Sequence, residues 1–128
     1  AGEMAKLRGL EREAVNEAPL AVAHAAAKEL GVLVVLKGPR TFVVTPAGRA
    51  LEHRGGNAGL GTSGSGDVLA GVVGGLAARG ATPAQAAAFG VYAHGRAGVI
   101  LARRVAPLGY LASELLAEIP RALARFER

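Results

Sequence analysis

The chain has 128 residues, 51% of them hydrophobic and 20% charged, which is enough apolar material for one globular unit with a modest core and argues against disorder. It has no cysteine, which excludes disulfides and thiolate chemistry, and no apolar run near the roughly 18 residues that cross a bilayer; the opening AGEMAKLRGLEREAVNE carries no signal-peptide core, so a cytoplasmic protein that does not enter membranes is expected. The formal charge of +5 suits an anionic metabolite or solubility, and with no basic block, two tyrosines and no finger or basic-zipper spacing it speaks against nucleic acid as a partner.

Residues 2–14 read as a short helix or a pair of turns, and 17–30 as a helix in which Pro19 suits the first turn, alanine dominates and Gly31 supplies the stop. VLVVLKG, 32–38, has the continuous apolar character of a strand covered on both faces. TFVVTPAGRALEHR then reads as a strand, a turn over Pro46–Gly48 and a short return strand. Within 67–79, Val68, Leu69, Val72, Val73 and Leu76 fall on one helical stripe; Gly71, Gly74 and Gly75 lower helix propensity, and close packing against a neighbouring backbone or a ligand is their expected reason. Thr82-Pro83 supplies a cap with proline at the first position of a helix running through AQAAAFGVYAHGRAGVILARR, and a last helix covers 111–126 with a bend at Pro120. Two to four strands beside four or five helices predict an α/β layered fold, with fewer strands than so many apolar helices ordinarily cover. A second chain or a further portion of the domain would supply the rest.

GGNAGLGTSGSGDVLAG, 55–71, sets seven glycines around the only aspartate in the sequence. It fits neither GxxxxGK[ST] nor a complete dinucleotide fingerprint. Its physics still points to an anion. Gly61, Gly64 and Gly66 let successive amides turn inward, the helix beginning near Asp67 adds unpaired N–H groups and a positive dipole end, and the hydroxyls of Thr62, Ser63 and Ser65 can add bonds to phosphate oxygens. Asp67 keeps two readings: a helix cap, or a group that orients or deprotonates an attacking hydroxyl, since a carboxylate beside a phosphate nest otherwise repels the ligand. Lys37-Gly38 stands at the expected end of a buried strand, where α/β proteins bind ligands. Lys37 either meets a phosphate there, with Thr41 assisting, or simply ends an apolar strand, and Arg40 is equally open.

GEM at 2–4, VVLKGPRT at 34–41, GGNAGLGTSGSGDVLAG at 55–71 and GVYAHGRAG at 90–98 together resemble, in order, the C-terminal half of the ADP/ATP-dependent NAD(P)H-hydrate dehydratases of the ribokinase-like superfamily. The resemblance implies a ribokinase-like α/β layered fold in which residues 1–128 are the C-terminal part of a single nucleotide-binding catalytic domain. It implies a lyase that uses ADP or ATP, with Mg2+ entering on the phosphates, to phosphorylate the hydroxyl of hydrated NADH or NADPH and then eliminate phosphate. Carried onto these residues, Asp67 is the base, and the amides around Gly64, Ser65 and Gly66 hold the transferring phosphoryl group. Lys37, Gly38, Pro39, Arg40 and Thr41 line the nucleotide site, Gly66 touches the adenylate portion, and Glu3, Asn57 and Asp67 face the substrate.

Two departures from the family pattern matter. Glu3 matches the glutamate of an HPGE segment that here reads AGE, and a helix-start carboxylate is its other reading. Gly56-Asn57-Ala58-Gly59 stands where the family has GNPG; alanine frees the φ angle that proline fixes and predicts lower loop order. The implied partner is a further copy of the chain, as a homo-oligomer, or a complementary N-terminal half. Two other functions fit the same residues: a ribokinase-like kinase for a small alcohol, because Gly-Ser-Gly-Asp does not define the acceptor, and a nucleotide-binding or assembly fragment without catalysis. His24, His53 and His94 lack metal-binding spacing, so no protein-held metal is expected.

Overall fold

A left-handed glycine, Gly9 at φ 62°, and then a proline, Pro19, decide where the first helices break. In the computed structural model, which describes residues 1–126, α1 (Gly2–Arg8), α2 (Arg12–Glu17) and α3 (Pro19–Leu30) divide the stretch expected as 2–14 and 17–30. Ala18 is held out of the helical region at φ −133°, ψ 54°, because the ring of the following proline crowds a helical residue at that position. The chain as a whole forms two compact units, Ala1–His53 and the part from Arg54 onward.

In the first unit β1 (Val34–Leu36), β2 (Thr41–Val44) and β3 (Ala50–His53) make an antiparallel sheet in the order β1-β2-β3. Val34 pairs with Val44 and Leu36 with Phe42, so strand alternation turns all four to one face. That face closes on Met4, Ala5 and Val15 and on the alanines Ala23, Ala26 and Ala27, whose short side chains let α3 lie close to the strands. The apolar run 32–38, expected as a strand covered on both faces, gives only three strand residues, and Val35 on the second face is half-buried.

The second unit is helical. A 3-10 turn (Ala58–Gly61) precedes α4 (Ser65–Ala78), α5 (Pro83–Arg104) and α6 (Ala112–Leu123), and another turn (Ala124–Phe126) follows. Thr82 caps α5 as expected: its Oγ1 accepts from the Gln85 amide at 3.3 Å while Gln85 Oε1 accepts from the Thr82 amide at 3.0 Å. Pro120 does not end α6, which runs three residues further. Ala93, Ala97 and Leu101 of α5 form the core with Tyr110, Leu115 and Ile119.

The stripe Val68, Leu69, Val72, Val73 and Leu76 is the inward side of α4, half-buried or buried throughout. The close approach, however, is made by glycines on the other helix. A Cβ on Gly90 would lie 2.7 Å from Val73 Cγ2, and one on Gly98 would lie 2.7 Å from Leu60. Gly71, Gly74 and Gly75 instead point to the exposed side of α4, with open space where a side chain would stand, and the packing expected of them is absent from the described residues.

α5 and α6 are joined by charge as well as by apolar packing. Arg104 Nη1 donates to Glu118 Oε1 at 2.5 Å, Arg121 Nη1 reaches Oε2 at 3.4 Å, and the Glu118 side chain is only 1% exposed. An enclosed carboxylate is tolerable only while its partners stay. Arg104→Ala should therefore lower stability by about 2 kcal/mol, less than for a fully buried pair because the guanidinium is half exposed, whereas Arg121→Ala should cost under about 1 kcal/mol. Urea denaturation midpoints of the two variants measure the difference.

Candidate active site

The glycine-rich loop is tied down at its start by Asn57. Asn57 Oδ1 accepts from the Gly59 amide and from the Tyr110 hydroxyl, both at 2.8 Å. The first bond caps the 3-10 turn Ala58–Gly61, where alanine stands in place of a proline that would fix φ. Burial raises the Tyr110 phenol above its ordinary pKa, partly opposed by the Asn57 bond, so the hydroxyl remains a donor. The two bonds on Oδ1 settle which way the amide faces and leave Nδ2 buried, with no acceptor among the described residues. Tyr110 also closes on Gly59: a Cβ there would lie 2.5 Å from the ring and 2.7 Å from the Pro107 carbonyl oxygen.

The loop ends at the origin of α4. Gly64 is the cap, at φ 81°, ψ −8°, a left-handed conformation that glycine adopts without steric cost. The Ser65 amide donates back to the Thr62 carbonyl at 3.2 Å, and the Val68 amide to the Gly64 carbonyl at 3.1 Å. Between them the amides of Gly66 and Asp67 find no acceptor among the described residues, and no side chain caps the helix. Two open N–H groups at the positive end of a 14-residue helix are an anion site in the making. Gly66 and Asp67 are both exposed, and nothing lies within 4 Å of where a Gly66 side chain would be.

Asp67 is exposed, in the first turn of that helix, and engages no hydrogen bond or ion pair among the described residues. Gly64, not Asp67, is the cap, which leaves the carboxylate available for chemistry. Ser65 is the reverse case. Its side chain is 1% exposed and faces inward, with Oγ 2.9 Å from His94 Nε2, so its hydroxyl supports the turn from beneath rather than lining the surface. Thr62 is half-buried and Ser63 exposed.

The first unit gathers the remaining candidates. Lys37, Gly38, Pro39 and Arg40 form the turn from β1 to β2, and Thr41 Oγ1 donates to the Gly38 carbonyl at 3.3 Å, bracing that turn from a buried position. Burial pushes the Lys37 ammonium below its usual pKa while the carboxylate of Glu3 opposes the shift, so these two residues are electrostatic neighbours. Arg40 is pinned by a two-point ion pair to Glu52, at 2.5 and 3.0 Å, and lies 5.1 Å above the Phe42 ring. A cavity of about 240 Å³ opens beside the turn, bordered by Val15, Asn16, Leu36, Lys37 and Arg40. Asn57, Gly64, Ser65, Gly66 and Asp67 all belong to the second unit. Among the described residues no three histidine, aspartate or glutamate side chains are grouped to hold a metal ion, and no helix is long and apolar enough to cross a membrane.

An open amide pair, a glycine cap and an uncommitted aspartate in one turn are joined by a sequence match over residues 1–121. The chain belongs to the Carb_kinase family, NAD(P)H-hydrate dehydratase. It is 48% identical over its full length to 44% of the ADP-dependent (S)-NAD(P)H-hydrate dehydratase of Xanthomonas campestris pv. campestris. It is 40% identical over 98% of its length to 24% of the bifunctional NAD(P)H-hydrate repair enzyme Nnr of Moorella thermoacetica. Among solved structures, the ADP/ATP-dependent NAD(P)H-hydrate dehydratase of Bacillus subtilis, co-crystallized with ATP/Mg2+, superimposes with a TM-score of 0.92 at 29% identity, covering 98% of this chain and 45% of that one. The mixed helix-and-sheet fold expected from the sequence is thus that of part of this enzyme's chain. The chain spans less than half the length of these relatives.

Tyr110 and His94 hold the glycine-rich loop from far along the chain, Tyr110 53 residues from Asn57 and His94 29 from Ser65, and Tyr110 does not stand out as an anchor in the sequence. Gly59→Ala tests the first anchor. Because both the ring and a backbone oxygen block the added methyl, the variant should lose about 1–3 kcal/mol, read as a fall in thermal midpoint; an unchanged midpoint would contradict the close approach.

Proposed function

We propose that the protein carrying this chain repairs hydrated NADH or NADPH, using ADP or ATP to phosphorylate the ring hydroxyl and then releasing phosphate. The observation that carries this reading is the pair of unbonded amides at Gly66 and Asp67 with the uncommitted Asp67 carboxylate on the same helical turn. The names of the relatives, dehydratases and repair enzymes acting on NAD(P)H-hydrate, support the substrate, and the ATP/Mg2+ of the Bacillus subtilis crystal supports the donor.

In this mechanism the amides of Gly66 and Asp67 meet the phosphoryl oxygens, where charge is greatest during transfer. Asp67 accepts the proton as the substrate hydroxyl attacks phosphorus, and the bond from phosphorus to the leaving AMP or ADP breaks. The new phosphate ester is a far better leaving group than hydroxide. Its carbon–oxygen bond then breaks to release phosphate, the adjacent carbon gives up a proton to water, and the electron pair left behind restores the ring double bond. A single carboxylate at the loop suits a magnesium ion that arrives on phosphate oxygens and keeps its waters better than one caged by protein. Lys37, Gly38, Pro39, Arg40 and Thr41 keep the nucleotide-binding role that the resemblance gives them, with Arg40 orientated by Glu52. Glu3 and Asn57 are assigned to the substrate, the latter as the cap that sets the path of the loop. Residues 1–128 then count as the C-terminal part of one catalytic domain, and the whole protein acts as an oligomer in the cytoplasm.

Asp67→Asn in the whole protein should reduce turnover by about 10³-fold, within the range of general-base catalysis, and change ADP affinity by no more than a few-fold. Recovery of NADH absorbance from hydrated NADH gives the first quantity and calorimetric titration the second. Near wild-type turnover in this variant would remove Asp67 as the base.

A further inference from the structure

We infer that His94 is a positioning residue that aims the Gly66 amide at the phosphoryl group; the functional side of this inference rests on the reading of the Gly64–Asp67 turn given above. His94 lies within α5 and is 4% exposed. An imidazole so enclosed must be hydrogen-bonded to be tolerated. Its Nε2 meets two oxygens of a single residue, Ser65 Oγ at 2.9 Å and the Ser65 carbonyl oxygen at 3.0 Å.

A carbonyl oxygen can only accept. The short approach is favourable only if Nε2 carries the proton, and one N–H then forks between carbonyl and hydroxyl. The opposite neutral tautomer would set a ring lone pair against the carbonyl lone pairs. His94 is therefore an Nε2–H donor that grips the first residue of α4 by its main chain as well as by its side chain.

The consequence follows from peptide geometry. The Ser65 carbonyl and the Gly66 N–H are the two ends of one planar unit, and no peptide bond in the described residues is cis. In a trans unit the C=O and N–H point in opposite directions. Holding the oxygen on His94 turns the Gly66 N–H the other way, and that N–H meets no acceptor among the described residues in an exposed turn. The Ser65 carbonyl also takes part in the α4 ladder as the first residue of the helix, and the His94 N–H adds a lateral hold on the same peptide unit; without it the first-turn glycine peptide, whose own N–H lacks an intrahelical partner, can tilt further, and a tilt that brings the carbonyl outward presents a negative dipole to phosphate.

Three variants of the whole protein separate this role from simple packing. His94→Leu fills the space without a donor, His94→Asn brings an amide only as far as Nδ1, and His94→Gln brings an N–H close to the Nε2 position. Turnover of hydrated NADH with ADP should fall by up to about a hundredfold in the first two, as expected of a small misplacement at a phosphoryl site, mainly in kcat, and the Gln variant should recover most of it. Two readouts stand apart from turnover. The ¹⁵N spectrum of labelled histidine should show His94 protonated at Nε2, and the Gly66 amide resonance should shift on adding ADP in the wild type and the Gln variant but not in the Leu variant. A wild-type His94 protonated only at Nδ1, or a folded Leu variant whose Gly66 amide responds to ADP like the wild type, overturns the inference. Should the Leu variant fail to fold, equal turnover of the Gln and Asn variants overturns it and a Gln advantage upholds it. A wild-type protein with no repair activity would instead defeat the functional reading, leaving the tautomer to decide the clamp.

Discussion

The second unit is organised around two peptide N–H groups that its own backbone leaves unsatisfied. A helix origin always leaves such donors, and folded proteins ordinarily cover them with a serine, threonine, asparagine or aspartate cap. Here the cap is Gly64, which has no side chain to offer, and the serine next in line points inward to His94. The turn thus gives up the usual capping bond, of order 1 kcal/mol, and keeps two donors directed at solvent. A carboxylate in the same turn gains from the helix dipole without closing either donor.

Keeping such a turn rigid falls to α5 and to the segment leading into α6. α5 is the longest helix, closed at its start by a reciprocal threonine–glutamine cap, and its small residues let α4 and the Leu60 side chain approach its backbone. Tyr110 holds one end of the loop through Asn57, and His94 holds the other through Ser65. The Glu118 carboxylate binds α6 back onto α5 through Arg104. The freedom that the glycines confer is opposed by bonds from outside the loop, and their lack of side chains gives a ligand access. In the first unit the turn from Lys37 to Thr41 follows the same logic, braced by the Thr41 hydroxyl on Gly38 and by the Arg40–Glu52 pair.

What the sequence made legible was local. Thr82-Pro83 announces a helix start, the Val68–Leu76 stripe announces the inward side of α4, and Pro46–Gly48 announces a hairpin; each depends on spacing along the chain alone. The chemistry at Asp67 was legible as a choice between cap and base, and the cap reading lost because Gly64 ends the loop one turn earlier than a helix beginning at Asp67 would require. Long-range pairings were not legible: nothing near Tyr110 names Asn57, and nothing near His94 names Ser65. Of the two reasons expected for the α4 glycines, a neighbouring backbone is not met within the described residues. Composition tells that small residues permit close approach, but only the rotation of the helices shows that Gly90 of α5 makes that approach to α4 and Gly98 to Leu60.

The central claim is that a phosphoryl group docks on the Gly66 and Asp67 amides, and a crystal structure of the whole protein with ADP and Mg2+ tests it most directly. The account requires phosphate oxygens at about 2.7–3.2 Å from both nitrogens, with the Asp67 carboxylate facing the acceptor side of the phosphoryl group. A fully occupied nucleotide whose phosphates lie elsewhere, while both amides face water, would contradict it.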